Sequence, residues 1–181
     1  MARSIARLHN WAYSLSGEGV WVHLYGGSRL ETTLPDGSPL ALVQGTDYPW
    51  EGEIALEMRR APEEPFAVML RIPSWAAGAE IRINSQPVEV KIDPGMYVKL
   101  RRTWSVGDAI ELTLRMPARL LVAHPKVEEA RNQVAVARGP VVYCLEAADL
   151  PAGVDLSEVK TSALMPLAAS TRAASSANSG E

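Results

Sequence analysis

Cysteine is nearly missing from this 181-residue chain, with Cys144 the sole example. A single thiol excludes an intrachain disulfide framework and a zinc site built on several cysteines. Its setting in the apolar run VVYCL predicts a reduced, inert thiol inside a core. Aromatic residues are also scarce, at 6% of the chain, and five of them are tryptophan against one phenylalanine. Each tryptophan is therefore expected to anchor a packing site. Clustered positive charge is missing as well: the net charge is −3, with lysine and arginine scattered along the chain. A nucleic-acid surface needs grouped cations to displace counterions from phosphates, so none is expected. No run approaches the roughly 18 to 20 apolar residues that span a bilayer, so no membrane partner is expected. Arg3 and Arg7 are not followed by the apolar core of a signal peptide, which predicts a cytoplasmic location.

What the chain does contain is alternation. Hydrophobic residues make up 47% of it, enough for a core. From Tyr48 to Trp75 the sequence reads YPWEGEIALEMRRAPEEPFAVMLRIPSW. Ile54, Leu56 and Met58 alternate with Glu53, Glu57 and Arg59, the period-two mark of a strand with one buried and one wet face. The polar link Arg60 to Pro65 leads to a second apolar run, Phe66 to Ile72, and the pair reads as an antiparallel hairpin. Further strands are expected at Val20 to Tyr25, Arg29 to Leu34, Pro39 to Gln44, Ile81 to Ile83, Val88 to Ile92, Met96 to Leu100 and Ala109 to Met116. Glycine and proline turns separate them, with Pro35-Asp36-Gly37 and Pro94-Gly95 the clearest. About nine short strands without intervening helices predict an all-β, jelly-roll-like antiparallel sandwich.

The flanks read differently. Ile5, Leu8, Trp11, Ala12 and Leu15 share one helical stripe, with Ser4 as N-cap and Gly17 as stop, which predicts an N-terminal helix. After Pro117, Leu120 to Ala123, Val134 to Ala137 and Val141 to Leu145 are three more strands, too few to close a sandwich alone. From Pro151 the alternation ends, and the small polar tail STRAASSANSGE cannot bury enough surface to offset the entropy of ordering. The expected organisation is a terminal helix over 1–18, a β-sandwich over 19–117, the start of a second sandwich over 118–150 and a disordered tail over 151–181.

Residues able to carry chemistry are few. His9, His23 and His124 stand apart from one another and from Cys144, with no metal-ligand spacing, so structural or surface roles are expected. His124, beside Pro125 at a strand end, is the strongest functional candidate of the three. Asp47 and Glu51 flank Tyr48-Pro49-Trp50, an acid-plus-aromatic cluster of the kind that holds a sugar. The preferred alternative has Tyr48 and Trp50 capping the open end of the core while the acids stay solvated. Trp75 and Trp104 stand at strand ends, where a stacking platform for carbohydrate could form, although tryptophan is also a common core plug.

Taken in order, IARLHNWAYSLSGEGVWVHLY, TDYPWEGEIALEM, LRIPSWAAGAEIRIN, TWSVGDAIELTLRMPARLLVAHPKV and VAVARGPVVYCLE resemble the C-terminal part of the β-L-arabinofuranosidases of glycoside hydrolase family 127. The resemblance runs over about residues 4 to 150. It implies a bacterial enzyme with an (α/α)6-barrel catalytic domain followed by β-sandwich domains. It also implies a zinc-bound cysteine nucleophile, glutamate as acid/base and further cysteine ligands. The last of those ligands belong to a Cys-Cys-Pro-type segment just before the stretch matching Ile5 to Leu15, whereas this chain begins Met1-Ala2-Arg3-Ser4. No catalytic or metal residue of the family therefore falls on a position here, and Cys144 matches a cysteine of the sandwich region. No cofactor is expected in this chain, zinc being confined to the barrel. The expected role is a non-catalytic sandwich that supports the barrel, its partner, or contributes homodimer contacts, and that is inactive alone. One alternative is an independent carbohydrate-binding module using Tyr48, Trp50, Trp75 and Trp104. Another is an assembly module whose helix stripe and strand edges seek a partner chain.

Overall fold

A computed structural model describes residues 8–155 and 158–160. Its core lies between two sheets. One holds β1 (Tyr13–Ser16), β2 (Gly19–Val22), β6 (Phe66–Arg71) and β9 (Tyr97–Arg102), in the order β1-β2-β6-β9. The other holds β3 (Ser28–Thr33), β4 (Pro39–Thr46), β5 (Glu53–Arg60), β7 (Glu80–Ile83), β8 (Gln86–Pro87) and β10 (Ala109–Thr113), in the order β3-β4-β5-β10-β7-β8. Val20, Val68, Leu70 and Leu100 from the first sheet join Leu42, Leu56, Met58, Ile110 and Leu112 from the second in one buried cluster. Side chains from two inner faces interdigitating in this way define a β-sandwich. All pairings between these strands are antiparallel except β2 with β6, which is parallel.

Alternation decides which face each strand buries. Along β5, Ile54, Leu56 and Met58 are buried while Glu53, Ala55, Arg59 and Arg60 are exposed. β6 is buried at every position from Phe66 to Leu70, as a central strand covered on both faces must be. Two backbone approaches demand glycine. A Cβ on Gly19, whose φ is +145°, would stand 2.0 Å from the carbonyl oxygen of Ala67. One on Gly52 would stand 2.0 Å from that of Leu114. Either contact is impossible for a side chain without moving the strand.

Three sequence expectations about the residues before Pro117 are corrected. Of the expected N-terminal helix, residues 4–7 lie outside the described residues. Leu8–Trp11 form a single 3-10 turn, and Tyr13–Ser16 are strand β1. Ser16 pairs with Gly19, so Gly17-Glu18 is a two-residue hairpin loop. The helical stripe would have needed a surface to dock on; Trp11 and Leu15 are instead 57% and 39% exposed. The strand brings Tyr13 against the core and its hydroxyl within 2.8 Å of Ser28 Oγ.

The second correction concerns the expected hairpin, because β5 and β6 belong to different sheets. Both edges of β5 are taken by β4 and β10. The link from Ala61 to Pro65, with a proline at each of positions 62 and 65, crosses the sandwich instead. Third, Val88–Ile92 is not a strand: only Gln86–Pro87 pairs with β7, the Val88 N–H adds one bond to the Ile81 carbonyl at 3.0 Å, and the Val90 N–H turns back to the Val88 carbonyl at 3.0 Å. Asn84 and Ser85 both take positive φ, at 51° and 64°, and close that hairpin in two residues. The segment keeps its period-two pattern nonetheless, with Val88, Val90 and Ile92 packed on the core.

Chain contacts divide the molecule into two units. The first comprises the sandwich up to Pro117 together with Gly139–Val141; the second comprises Ala118–Arg138 and the residues from Val142 on. The strands β11 (Ala118–Val122), β12 (Val134–Arg138) and β13 (Val141–Tyr143) form a sheet of their own in the order β11-β12-β13. Cys144 follows β13 and is exposed, as are Val142, Tyr143 and Leu145, which overturns the expectation of a core thiol. Of the polar tail, residues 156–157 and 161–181 lie outside the described residues.

Candidate functional site

The outer face of the four-stranded sheet carries side chains that alternation turns away from the core. Val20 and Val22 point inward, so Trp21 points out, opposite Met69 of β6, which in turn faces Lys99 of β9. His23 continues the same side past the end of β2, and Tyr97 opens β9. The three rings pack together. Trp21 and Tyr97 meet edge to face at 4.9 Å between centroids, His23 and Tyr97 likewise at 5.6 Å, and Trp21 lies nearly parallel to His23 at 6.5 Å. Met69, although on this outer face, is only 2% exposed.

Polar atoms of the cluster find partners within it. His23 Nδ1 lies 2.6 Å from the Tyr97 hydroxyl and Nε2 lies 2.7 Å from Ser14 Oγ. Trp21 Nε1 donates to Ser16 Oγ at 3.1 Å. Burial, assisted by the Arg71 guanidinium, holds the His23 pKa below its ordinary value, so the neutral ring is favoured. A neutral imidazole offers one donor and one acceptor, and each hydroxyl can supply the complementary role. At the rim, Lys99 is hydrogen-bonded to Glu18 from the β1–β2 turn, which pulls that exposed carboxyl below its usual range.

A second aromatic group closes one end of the core. Tyr25 and Tyr48 meet edge to face at 6.0 Å, and the Tyr25 hydroxyl donates to the Arg71 carbonyl at 2.6 Å. Burial is the chief cause raising both phenol pKa values. Behind them Gln44, 2% exposed, donates through Nε2 to the Gly26 carbonyl at 3.0 Å and lies 3.2 Å from the Tyr13 hydroxyl.

The four tryptophan and tyrosine candidates from the sequence do not form one platform. Tyr48 is half-buried against the core, beside Tyr25. Trp50, on the turn closed by its N–H to the Asp47 carbonyl at 2.9 Å, is 63% exposed. Trp75 is half-buried and packed on the core. Trp104 is 2% exposed, packs beside Phe66, donates to the Phe66 carbonyl at 3.2 Å and has the Arg102 guanidinium 5.3 Å from its ring. Trp104 is thus a core anchor and offers no face to a sugar.

Asp47 is exposed and Glu51 half-buried. His124 is exposed and caps a turn through the Lys126 N–H, at 3.2 Å. Among the described residues no three His, Cys, Asp or Glu side chains converge, and Cys144 is a free exposed thiol, so these residues do not fit a zinc site. Sequence reasoning missed the Trp21–His23–Tyr97 cluster. Its signal was that Val20 to Tyr25 is bulky on both alternating sides, which a half-wet strand is not.

Two sheets packed face to face, with an aromatic outer face whose hydrogen bonds are met internally, define a β-sandwich module. Residues 19–116 match the β-L-arabinofuranosidase GH127 middle domain, and residues 118–175 match the glycoside hydrolase family 127 C-terminal domain. The chain belongs to glycoside hydrolase family 127. It is 29% identical over 160 residues to a non-reducing end β-L-arabinofuranosidase of Bifidobacterium longum subsp. longum, covering 83% of this chain and 23% of that protein. Among solved structures, one described as a glycoside hydrolase is 44% identical with a TM-score of 0.81, covering 85% of this chain and 26% of the other. A GH127 β-L-arabinofuranosidase from Geobacillus stearothermophilus T6 is 39% identical with a TM-score of 0.74, covering 81% and 23%. The chain spans about a quarter of the length of these relatives. What it matches is their non-catalytic middle and C-terminal domains.

Proposed function

We propose that this chain is the sandwich region that supports the helical catalytic barrel of a β-L-arabinofuranosidase-like hydrolase, with the outer face of the four-stranded sheet as its contact surface. The reading rests on the middle-domain match over 19–116. It is supported by the composition of that face, where Trp21, Tyr97 and Arg71 are residue types enriched in contact surfaces. Because Trp21, His23 and Tyr97 bond to neighbours on the face itself, covering them strands no donor or acceptor. Zinc, nucleophile and acid/base then reside in the barrel, and the whole enzyme releases terminal β-L-arabinofuranose. Contacts between two copies are a second use of the same region.

The test is a chimaera in which this chain replaces the matching quarter of the Geobacillus stearothermophilus enzyme. Docking through the outer face predicts an active chimaera. It also predicts that joint Trp21→Ala and Tyr97→Ala lowers both activity and melting temperature. A double variant that melts and turns over like its parent would remove the outer face from the proposal.

A further inference from the structure

The four-stranded sheet ends at β9, while the facing sheet continues past it through β7 and β8. The Ile72 N–H bonds to the Met96 carbonyl at 2.8 Å. In an antiparallel ladder the bonded pairs alternate, so Val98, Leu100 and Arg102 are the β9 residues that bond to β6. The peptide groups of Tyr97, Lys99 and Arg101 therefore point outward, and no strand among the described residues meets them. Beside this edge runs a groove of about 630 Å³, bounded on its far side by Gln86–Val90. Its floor is apolar, made by Ile83, Leu100, Val88 and Val90. Its rim carries Lys99, Arg101, Arg102 and Glu89, with Lys99 paired to Glu18 and the Arg102 guanidinium 4.0 Å from Asp108, which leaves Arg101 as the cation with no ion pair among the described residues.

We propose that this edge accepts an extended segment of a partner polypeptide in which apolar and acidic residues alternate. A strand added to β9 satisfies the three outward peptide groups and sends every second side chain onto the apolar floor. The intervening side chains stand opposite Lys99 and Arg101 on the other face. Within the sheet those two cations lie across from Met69 and Ala67, which bring no charge. Arg101 forms no ion pair among the described residues, and Lys99 draws its partner Glu18 from outside the ladder. Acidic residues at those positions form favourable cross-strand pairs. Antiparallel pairing with a second copy of β9 would set cations against cations, which is how natural edges resist self-addition.

The probe is an N-acetylated nonapeptide alternating valine and glutamate, titrated into the 15N-labelled chain, with a valine–lysine peptide as control. The expected result is slowed hydrogen exchange and shifted resonances at the Tyr97, Lys99 and Arg101 amides with the acidic peptide only. Arg101→Glu should weaken that binding by about tenfold. Lys99→Glu should act in the same direction, and the unchanged dispersion of the core resonances serves as the folding control for both. No response at these amides at millimolar peptide, or equal binding of the two peptides, overturns the proposal. So does protection of the same amides that rises with protein concentration alone, which would assign the edge to a second copy.

Discussion

His23 is held between two hydroxyls and against two aromatic rings, where burial and the Arg71 guanidinium favour the neutral imidazole. In the unfolded chain it titrates at its ordinary value of 6.5, and in the folded state lower. The folded state therefore binds fewer protons in the window just below 6.5, and stability falls as pH drops through that window. The carboxyls of Glu18, Asp36, Glu80 and Asp108, all shifted downward, lose their contributions at lower pH, below the ordinary carboxyl range. Melting curves between pH 7 and 5 should show a loss that His23→Gln flattens, since glutamine retains hydrogen bonding without a proton to gain. Identical pH profiles for the two proteins would rule out the histidine as its source. Trp104 makes a stability claim of a different kind. Buried, bonded to the Phe66 carbonyl and packed at a tilt against its ring, it should cost about 3–5 kcal/mol on replacement by alanine, read from denaturant unfolding. The sequence could not distinguish this anchor from an exposed platform, because a tryptophan at a strand end reads the same in either role. Trp75 and Trp104 share that signature, and both pack on the core, whereas Trp50 of the acid-plus-aromatic cluster is 63% exposed.

At the scale of elements, strands were legible wherever period two was unbroken. β3, β4, β5 and β10 all lie within a few residues of their expected ranges. Pairing was not legible. β5 and β6 look like neighbours because they are adjacent in sequence, yet strand order depends on which edges other strands have already occupied. The N-terminal stripe was misread for a related reason. Spacings of three and four fit a helix, but the glycines at 17 and 19 permit a hairpin that brings β1 onto the edge of β2. The segment from Val88 shows the reverse case, a true period-two pattern with no ladder to join. β6 and β11 provide the contrast that tests this account of burial. Leu70→Ala, fully buried on β6, should cost about 2–5 kcal/mol. Val122→Ala, at 76% exposure on β11, should stay within about 0.5 kcal/mol. Equal losses in chemical denaturation would mean that the three-stranded sheet buries far more than its exposures indicate.

At the scale of the whole molecule, the order of motifs carried the family, and the proposed function rests on that family. The sandwich packs a continuous core from two sheets without bringing together, among the described residues, three side chains able to ligate a metal. Its matches are to middle and C-terminal domains of enzymes about four times its length. In the proposed whole enzyme, chemistry would reside in the barrel and this region would contribute a scaffold and a contact face. The most direct measurement is an assay of the purified chain alone on 4-nitrophenyl β-L-arabinofuranoside with zinc supplied. The account predicts no release of nitrophenol above the buffer rate. Turnover that survives repeated purification and scales with the concentration of this chain would contradict it, and would turn the search for acid and base to carboxylates such as Asp47 and Glu51.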